Sequence, residues 1–287
     1  MATGWMRRLR QVTGDRAGLA QRALETVGRA ERASAAGDRE AARQLGETAV
    51  TELRSLVASG VREAGSGLVR ALLNQSEYLR LLSRHAEAVA AADEAVSLAW
   101  ADPGRPRALA LALATLAARL LAADRPADGS EAARQALAIG GVQPDAELAQ
   151  VLVTLAAMLA EAGEHEAALA PSERAAGMWR VLAAGNDRES RFRLGQALAG
   201  HAGRLYAAGH WADAIEFSAE AVAIRRGLAG ESPETLALGL TDHAMMLRRV
   251  GREQEARAAA AEAASLAPVA GTGDGPAGEP GGAVDCC

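Results

Sequence analysis

The chain has 287 residues, enough for one or two ordinary cores or for one elongated array. Hydrophobic residues make up 49% of it but aromatic residues only 3%, so alanine, leucine and valine must supply the apolar volume. This composition favours helices and argues against a large sheet. The net charge of −5 provides no positive field for a phosphate backbone, which argues against nucleic acid as the main partner.

Cysteine usage and hydropathy bear on where the protein works. Both cysteines, Cys286 and Cys287, stand at the end, so no disulfide framework is expected. No apolar region follows the arginines near the N-terminus, and the longest apolar stretch, 108–123, is interrupted by Arg119 and is short for a bilayer. We predict a cytoplasmic protein without stable membrane association. The absence of lysine, together with abundant alanine and glycine, indicates a GC-rich bacterial genome.

A skeleton of small residues recurs along the chain. It consists of a glycine, an alanine five positions later and a second alanine seven positions after that, first met at Gly37, Ala42 and Ala49. Intervals between copies are near forty residues, which is typical of helical-hairpin repeats. In two degenerate copies another residue replaces the glycine. The copies are anchored, in chain order, at Gly37, Ser83, Asp124, Gly163, Gly209 and Gly251.

Each anchor is predicted to be a tight turn between two antiparallel helices. Before Asp124, Leu113, Leu116, Ala117 and Leu120 follow the i, i+3, i+4, i+7 spacing of a helix, and similar patterns precede Gly163 and Gly251. A second helix follows each anchor, for example over 211–227 and 253–266. Glycine tolerates a positive φ at the turn, and the alanines allow neighbouring helices to approach closely.

Local signals also mark helix starts. Asp145 after Pro144, Asp187, and Ser232 before Pro233 stand where first helices should begin, with side chains that can cap a helix. Pro171 falls inside the predicted second helix of the fourth repeat. We expect a kink or a break there.

These residues resemble the tetratricopeptide repeat (TPR) family. The small-residue positions, the Leu-Ala pair of the first helix and Pro268 carry the resemblance, and the stretch 221–256 is similar to the kinesin-light-chain type, with repeats of about 42 residues. The resemblance implies an all-α, right-handed α-solenoid of about six helix-turn-helix repeats over 20–268. An N-terminal segment, 1–19, and a disordered Gly/Pro-rich tail, 269–287, flank it.

The resemblance also implies a concave groove, lined by the first helices, that holds a peptide or protein segment. In the kinesin-light-chain type an asparagine nine residues before the turn contacts the peptide backbone, and here Asn74 alone matches it. Each candidate can equally be a solvated or inter-helix residue. The candidate groove residues are Arg70, Leu73, Asn74, Glu77, Arg80, Gln150, Thr154, Gln196, Tyr206, Asp242, Met245, Arg248 and Arg249.

The sequence contains few residues in patterns that bind a metal or carry out catalysis. His201 and His243 take equivalent first-helix positions, but a zinc site would need two more ligands and the array contains no cysteine. We expect two packed, hydrogen-bonded histidines and no metal or cofactor. Because phosphate loops, nucleophile elbows and metalloprotease motifs are missing, an enzyme is not expected. Chance best explains Cys286-Cys287, with an intermolecular disulfide, a labile metal site and lipidation as alternatives.

The sequence therefore predicts a non-catalytic scaffold that binds a peptide or protein segment. The alternative is a regulatory module that senses a peptide or signal and acts on a separate effector protein. A hydrolase hidden in the array is the least favoured reading.

Overall fold

The computed structural model of the protein describes residues 2–62, 64–228 and 232–266, with side chains from Arg16 onward, and these residues form twelve α-helices and no strand. The helices are α1 (Ala2–Ala35), α2 (Arg39–Ala58), α3 (Ala64–Leu81), α4 (His85–Trp100), α5 (Pro106–Ala122), α6 (Pro126–Ala138), α7 (Ala146–Glu161), α8 (His165–Ala183), α9 (Arg188–Ala207), α10 (Trp211–Arg226), α11 (Pro233–Arg249) and α12 (Glu253–Leu266). Helix α1 includes most of the segment 1–19. The predicted tail, 269–287, lies outside the described residues.

Each predicted anchor is the turn of a helical hairpin. The four glycine anchors have φ between 79° and 89°, and Ser83 and Asp124 adopt the same left-handed conformation at 59° and 57°. After every anchor the next backbone N–H donates to the carbonyl five residues earlier, as Glu164 does to Leu159 at 2.9 Å. This is the Schellman closure of a helix end. The prediction of six hairpins anchored at these positions is confirmed for the described chain.

The recurrent small residues are buried where helices meet. Ala168 and Ala175 on α8 are fully buried, and their equivalents on the other second helices are also buried. At Gly129, which takes the place of the first alanine, an added Cβ would lie 2.8 Å from Leu121 Cγ and 3.2 Å from the Ala117 carbonyl oxygen. The small residues therefore set how closely the two helices of a hairpin approach each other.

The predicted helix starts agree with the structure better than the predicted interruption at Pro171 does. Asp145 and Asp187 do cap α7 and α9, since their carboxylates accept backbone N–H bonds from Leu148 and Ser190 at 2.9 and 2.8 Å. Helix α11 begins at Pro233 with Ser232 at its N-cap, as predicted, but the Ser232 hydroxyl makes no capping bond and accepts a hydrogen bond from Thr235 Oγ1 instead. A break at Pro171 is wrong: α8 continues through this buried proline.

The stack curves toward its first helices. Among the described helices, the backbones of successive first helices approach each other closely from α1 to α9, whereas among the second helices a similar backbone approach is found between α6 and α8. Closer spacing on one side bends a solenoid toward that side. The first helices therefore line the inner side of the array, as the resemblance implied.

Long ion pairs bridge the wider side. Arg54 on α2 contacts Glu94 on α4 at 2.8 Å, and Arg180–Glu220 and Arg226–Glu262 repeat this geometry in later hairpins. Each arginine lies seventeen positions after the anchor of its own hairpin, and each glutamate lies eleven positions after the anchor of the next hairpin. These exposed pairs contribute about 0.2–1 kcal/mol each, so their main effect is on the register of neighbouring hairpins.

The short helix α6 changes this pattern. It ends at Ala138, so no arginine occupies the bridging position, and the equivalent of the glutamate is Arg174 on α8. The Arg174 guanidinium donates to the carbonyls of Leu137 and Ile139, at 2.6 and 3.0 Å, near the C-terminus of α6. A cation at that end satisfies free carbonyls and the helix dipole. Arg174 thus joins the third and fourth hairpins in place of an ion pair.

Two serine–histidine contacts join the last three hairpins. Nδ1 of His201 lies 2.7 Å from the Ser172 hydroxyl of the preceding second helix, and Nδ1 of His243 lies 2.6 Å from the Ser218 hydroxyl one repeat later. The His201 ring also meets Phe217 edge-on at 4.6 Å. The prediction of packed, hydrogen-bonded histidines is confirmed. Burial lowers the pKa of both imidazoles.

We expect stability to fall in mild acid because of these histidines. Their folded-state pKa values lie below the unfolded value of about 6.5, so the unfolded chain takes up protons first as the pH drops. The stabilisation is complete above that pH and is lost as the pH falls toward the folded values. The free energy of unfolding, measured with urea from pH 7.5 to 5, should show this loss. His201→Gln should reduce the slope of that free energy against pH, whereas an unchanged slope would contradict the role given to His201. His165→Gln, which removes an exposed imidazole, is the matched control.

Candidate functional site

A cleft of about 1300 Å³ opens on the inner side of the first four hairpins. Leu24 on α1, Arg70 on α3 and Leu111 on α5 line it, each thirteen positions before its anchor, so one face of three successive first helices forms the wall. Leu73, Leu98 and other apolar residues complete the floor. The loops 59–62, 101–105 and 139–145 contribute to the open end.

Charged side chains surround the apolar floor. Arg107 contacts both Asp145 and Glu147 at 2.8 Å, which joins the start of α5 to that of α7. Burial raises the pKa of the Asp145 carboxyl, but hydrogen bonds from Arg107 and the Leu148 amide outweigh this, and the net pKa is lowered. Arg105 pairs with Asp102 at 3.2 Å on the neighbouring loop. The rim is therefore charged with both signs and held in position by its own pairs.

A ladder of charges follows the first helices beside the cleft. Arg70 and Asn74 both bind the Glu31 carboxylate of α1, with Asn74 Nδ2 2.8 Å from Oε1. One turn further along α3, Glu77 contacts Arg80 and, at 2.7 Å, the buried Arg119 of α5. Arg119 Nε also donates to the Ser76 hydroxyl at 3.2 Å. Most of these polar groups therefore have intramolecular partners.

For the buried Arg119 and the half-buried Glu77, burial and the neighbouring charge shift the pKa in opposite directions. Burial lowers the pKa of Arg119, and the Glu77 carboxylate counteracts this. Burial alone would raise the pKa of Glu77, but hydrogen bonding to Arg80 and the charge of Arg119 leave it below its ordinary value. Glu77 is ionised at neutral pH, and the guanidinium keeps its charge because its ordinary pKa is above 12. The pair is a charged link between the second and third hairpins.

The structure brings two of the thirteen predicted groove residues, Arg70 and Leu73, into this cleft. Asn74, Glu77 and Arg80 lie beside it in the charge ladder. Gln150 and Thr154 are exposed on α7 and Gln196 on α9, while Tyr206 is half-buried. The remaining four lie on α11: Asp242 and Met245 are exposed, Arg248 lines a pocket against α12, and Arg249 stacks 4.3 Å above the Trp211 ring.

Several residues of the cleft were missed by sequence reasoning. Leu24 and Leu111 could have been found, because they share the register of Arg70 relative to their anchors. The Arg107–Asp145–Glu147 cluster had no comparable signal, since it depends on how the irregular loop 139–145 returns to the start of α5. The register of the first helices thus identifies the floor, and the loops determine the rim.

Comparison with known proteins was informative through structure rather than sequence. No protein-family model matches the chain, and a search of curated proteins finds no match. BtubC (BKLC) from P. vanneervenii superposes with a TM-score of 0.59 at 18% identity, covering 85% of this chain and 97% of that one. Kinesin-light-chain TPR-like repeats from Podosopora anserina give 0.54 at 16% identity, covering 70% and 95%. The chain has the tetratricopeptide-repeat fold.

A third similar structure is that of a nuclear import adaptor. The nuclear import adaptor Nro1 of S. pombe superposes with a TM-score of 0.58 at 14% identity, over 87% of this chain and 94% of that one. These superpositions show a shared TPR architecture, and the ligand of this chain has to be argued from its own surface. Within the described residues, no helix combines the length and apolar character needed to cross a bilayer.

Proposed function

We propose that the chain is a non-catalytic TPR scaffold that holds a peptide or protein segment in the cleft on its first-helix side. The observation that carries this proposal is the cleft itself, with leucines from three successive first helices beneath a rim of paired charges. Its volume of about 1300 Å³ exceeds the ~300–1000 Å³ of ordinary small-molecule pockets. A chain segment with several side chains fits a space of this size better than a compact metabolite does.

The chemistry of the lining narrows the class of segment. Apolar side chains of the ligand would enter between Leu24, Leu73 and Leu111, where they are removed from water. Polar and charged groups flanking them would face the rim around Arg107 and Asp145, which carries both signs. We therefore expect an amphipathic segment of mixed charge. The regulatory-sensor alternative stays a prediction, because no contact among the described residues favours it.

Peptide selection tests the proposal. Peptides selected from a displayed random library on the wild-type chain should bind Leu24→Glu at least about tenfold more weakly, because a carboxylate then enters an apolar cleft. Leu24 is 39% exposed, so the change is compatible with folding. Binding would be measured by fluorescence anisotropy.

Leu19→Glu is the matched control. Leu19 lies on the same helix, is 47% exposed and does not line the cleft. It should leave the affinity within about twofold of wild type, since exposed substitutions away from a site have small effects. Equal loss in both variants, or equal binding by Leu24→Glu and wild type, would place the ligand elsewhere.

A further inference from the structure

The first helix of the fifth hairpin carries an arginine without a partner. Arg204 on α9 is half-buried, and its Nε atom is buried with no hydrogen-bond acceptor. Among the described residues, its guanidinium makes neither a hydrogen bond nor an ion pair. Burial lowers the pKa of Arg204, and the charge of Glu161 counteracts this, so the side chain stays charged. Buried polar groups normally have a partner, so this guanidinium indicates a missing acceptor.

The same position in the third hairpin shows which acceptor is missing. Arg119 lies five positions before its anchor, as Arg204 does. The Arg119 guanidinium contacts the Glu77 carboxylate at 2.7 Å and the Ser76 hydroxyl at 3.2 Å. These two partners lie six and seven positions before the anchor of the preceding hairpin. In this register the fold therefore accommodates an arginine by placing a carboxylate beside it, on the neighbouring first helix.

The fourth hairpin replaces both of these partners by alanine. Helix α7 packs beside α9 as α3 packs beside α5, and Ala157 and Ala156 occupy the registers of the carboxylate and the hydroxyl. Glu161 lies one turn beyond Ala157 on α7, but it is exposed and does not pair with Arg204. The chain thus keeps the arginine in this register and lacks the acidic residue that would neutralise it.

The residues around the guanidinium leave room for a ligand. A Cβ added at Gly200 would lie 2.7 Å from Arg204 Nη1, so the guanidinium lies over this glycine, one turn back along α9. Gly200 is nine positions before its anchor, the register in which Asn74 lies beside the cleft. Gly203 is exposed and Ala157 is partly exposed, so no large side chain stands at these positions. Arg204 is therefore accessible from the inner side of the array.

We infer that Arg204 binds a carboxylate of a protein ligand, either an acidic side chain or a free C-terminus. The carboxylate would lie between α7 and α9, in the place that Glu77 has beside Arg119, and would accept hydrogen bonds from the guanidinium. Charge-assisted bonds between a guanidinium and a carboxylate are among the strong hydrogen bonds of proteins. Since Arg204 and its small neighbours do not line the cleft, this site and the proposed cleft can fail independently.

The NMR resonance of the Arg204 Nε–H group in the full chain tests the inference, and its loss in Arg204→Gln assigns it. N-acetylglutamate α-amide should shift this resonance in a saturable manner, whereas the neutral N-acetylglutamine α-amide should shift it at least about fivefold less, because it has no charge to pair. N-acetylalanine presents a chain-terminal carboxylate instead, and the larger of the two carboxylate responses identifies the source of the ligand group. No response to either carboxylate, or an equal response to the neutral amide, would overturn the inference.

Variants on α7 test the position of the bound carboxylate. Ala157→Glu supplies one in the register of Glu77, so the Arg204 resonance should be shifted without any probe, and the affinity for N-acetylglutamate α-amide should fall at least about tenfold. Ala157→Gln is the matched control and should stay within about twofold of wild type. With circular dichroism showing folded variants, a wild-type response in Ala157→Glu would overturn the inference. So would a Glu161→Gln variant whose Arg204 resonance moves without any probe, because Glu161 would then be the partner.

Discussion

Replacement of Glu77 by leucine is expected to lower the free energy of unfolding by about 2–3 kcal/mol, because it leaves the Arg119 guanidinium without its carboxylate partner. Arg119 is buried between the second and third hairpins, and its contacts are Glu77 at 2.7 Å and the Ser76 hydroxyl at 3.2 Å. A fully buried pair loses about 3–5 kcal/mol when one partner is removed. We expect less here, since Glu77 remains partly exposed.

A double-mutant cycle distinguishes a broken ion pair from damaged packing. Adding Arg119→Leu to Glu77→Leu removes the uncompensated charge, so the double variant should recover most of the lost stability. Urea unfolding would measure each variant. Glu87→Leu is the control, because the Arg84–Glu87 pair is exposed and its loss should leave the free energy of unfolding close to that of wild type. Additive losses at Glu77 and Arg119 would contradict a coupled pair.

Enlargement of a recurrent small residue should have a comparable effect. Ala168→Leu places three more carbon atoms in a site that is fully buried against the first helix of its hairpin. Overpacking of a close helix contact should reduce the free energy of unfolding by about 2–3 kcal/mol. Thermal and urea unfolding would both report this loss.

Ala170→Leu is the matched control for this prediction. It lies on the same helix two residues later, is exposed, and makes the same chemical change. Its effect should stay within about 0.5 kcal/mol, as for other surface substitutions. If Ala168→Leu were equally harmless, the small residues would not set the spacing of the helices.

The charge pairs on the two sides of the array have different roles. On the outer side, pairs such as Arg54–Glu94 span second helices whose backbones stand well apart. On the inner side, Glu31–Arg70 and Glu77–Arg119 join first helices that already pack closely. The outer pairs therefore bridge a gap between hairpins, whereas the inner pairs join helices that already touch.

The amino-acid sequence by itself determined the hairpins and their turns. The turn anchors, including Ser83 and Asp124, could be located because a helix end closes through short-range backbone bonds, and a small-residue skeleton marks each one. The buried alanines followed from the same repeat. Local propensity and helical periodicity carry this information along a single stretch of chain.

The tertiary structure alone decided which polar groups are available to a ligand. Arg70, Asn74 and Glu77 were natural groove candidates, yet their side chains contact Glu31 and Arg119, about forty positions away in the sequence. The serine partners of His201 and His243 and the charged rim around Asp145 likewise depend on the angle and register between hairpins. Those quantities arise from packing between repeats, which no local pattern encodes, so the cleft and its rim emerge only when the hairpins are stacked.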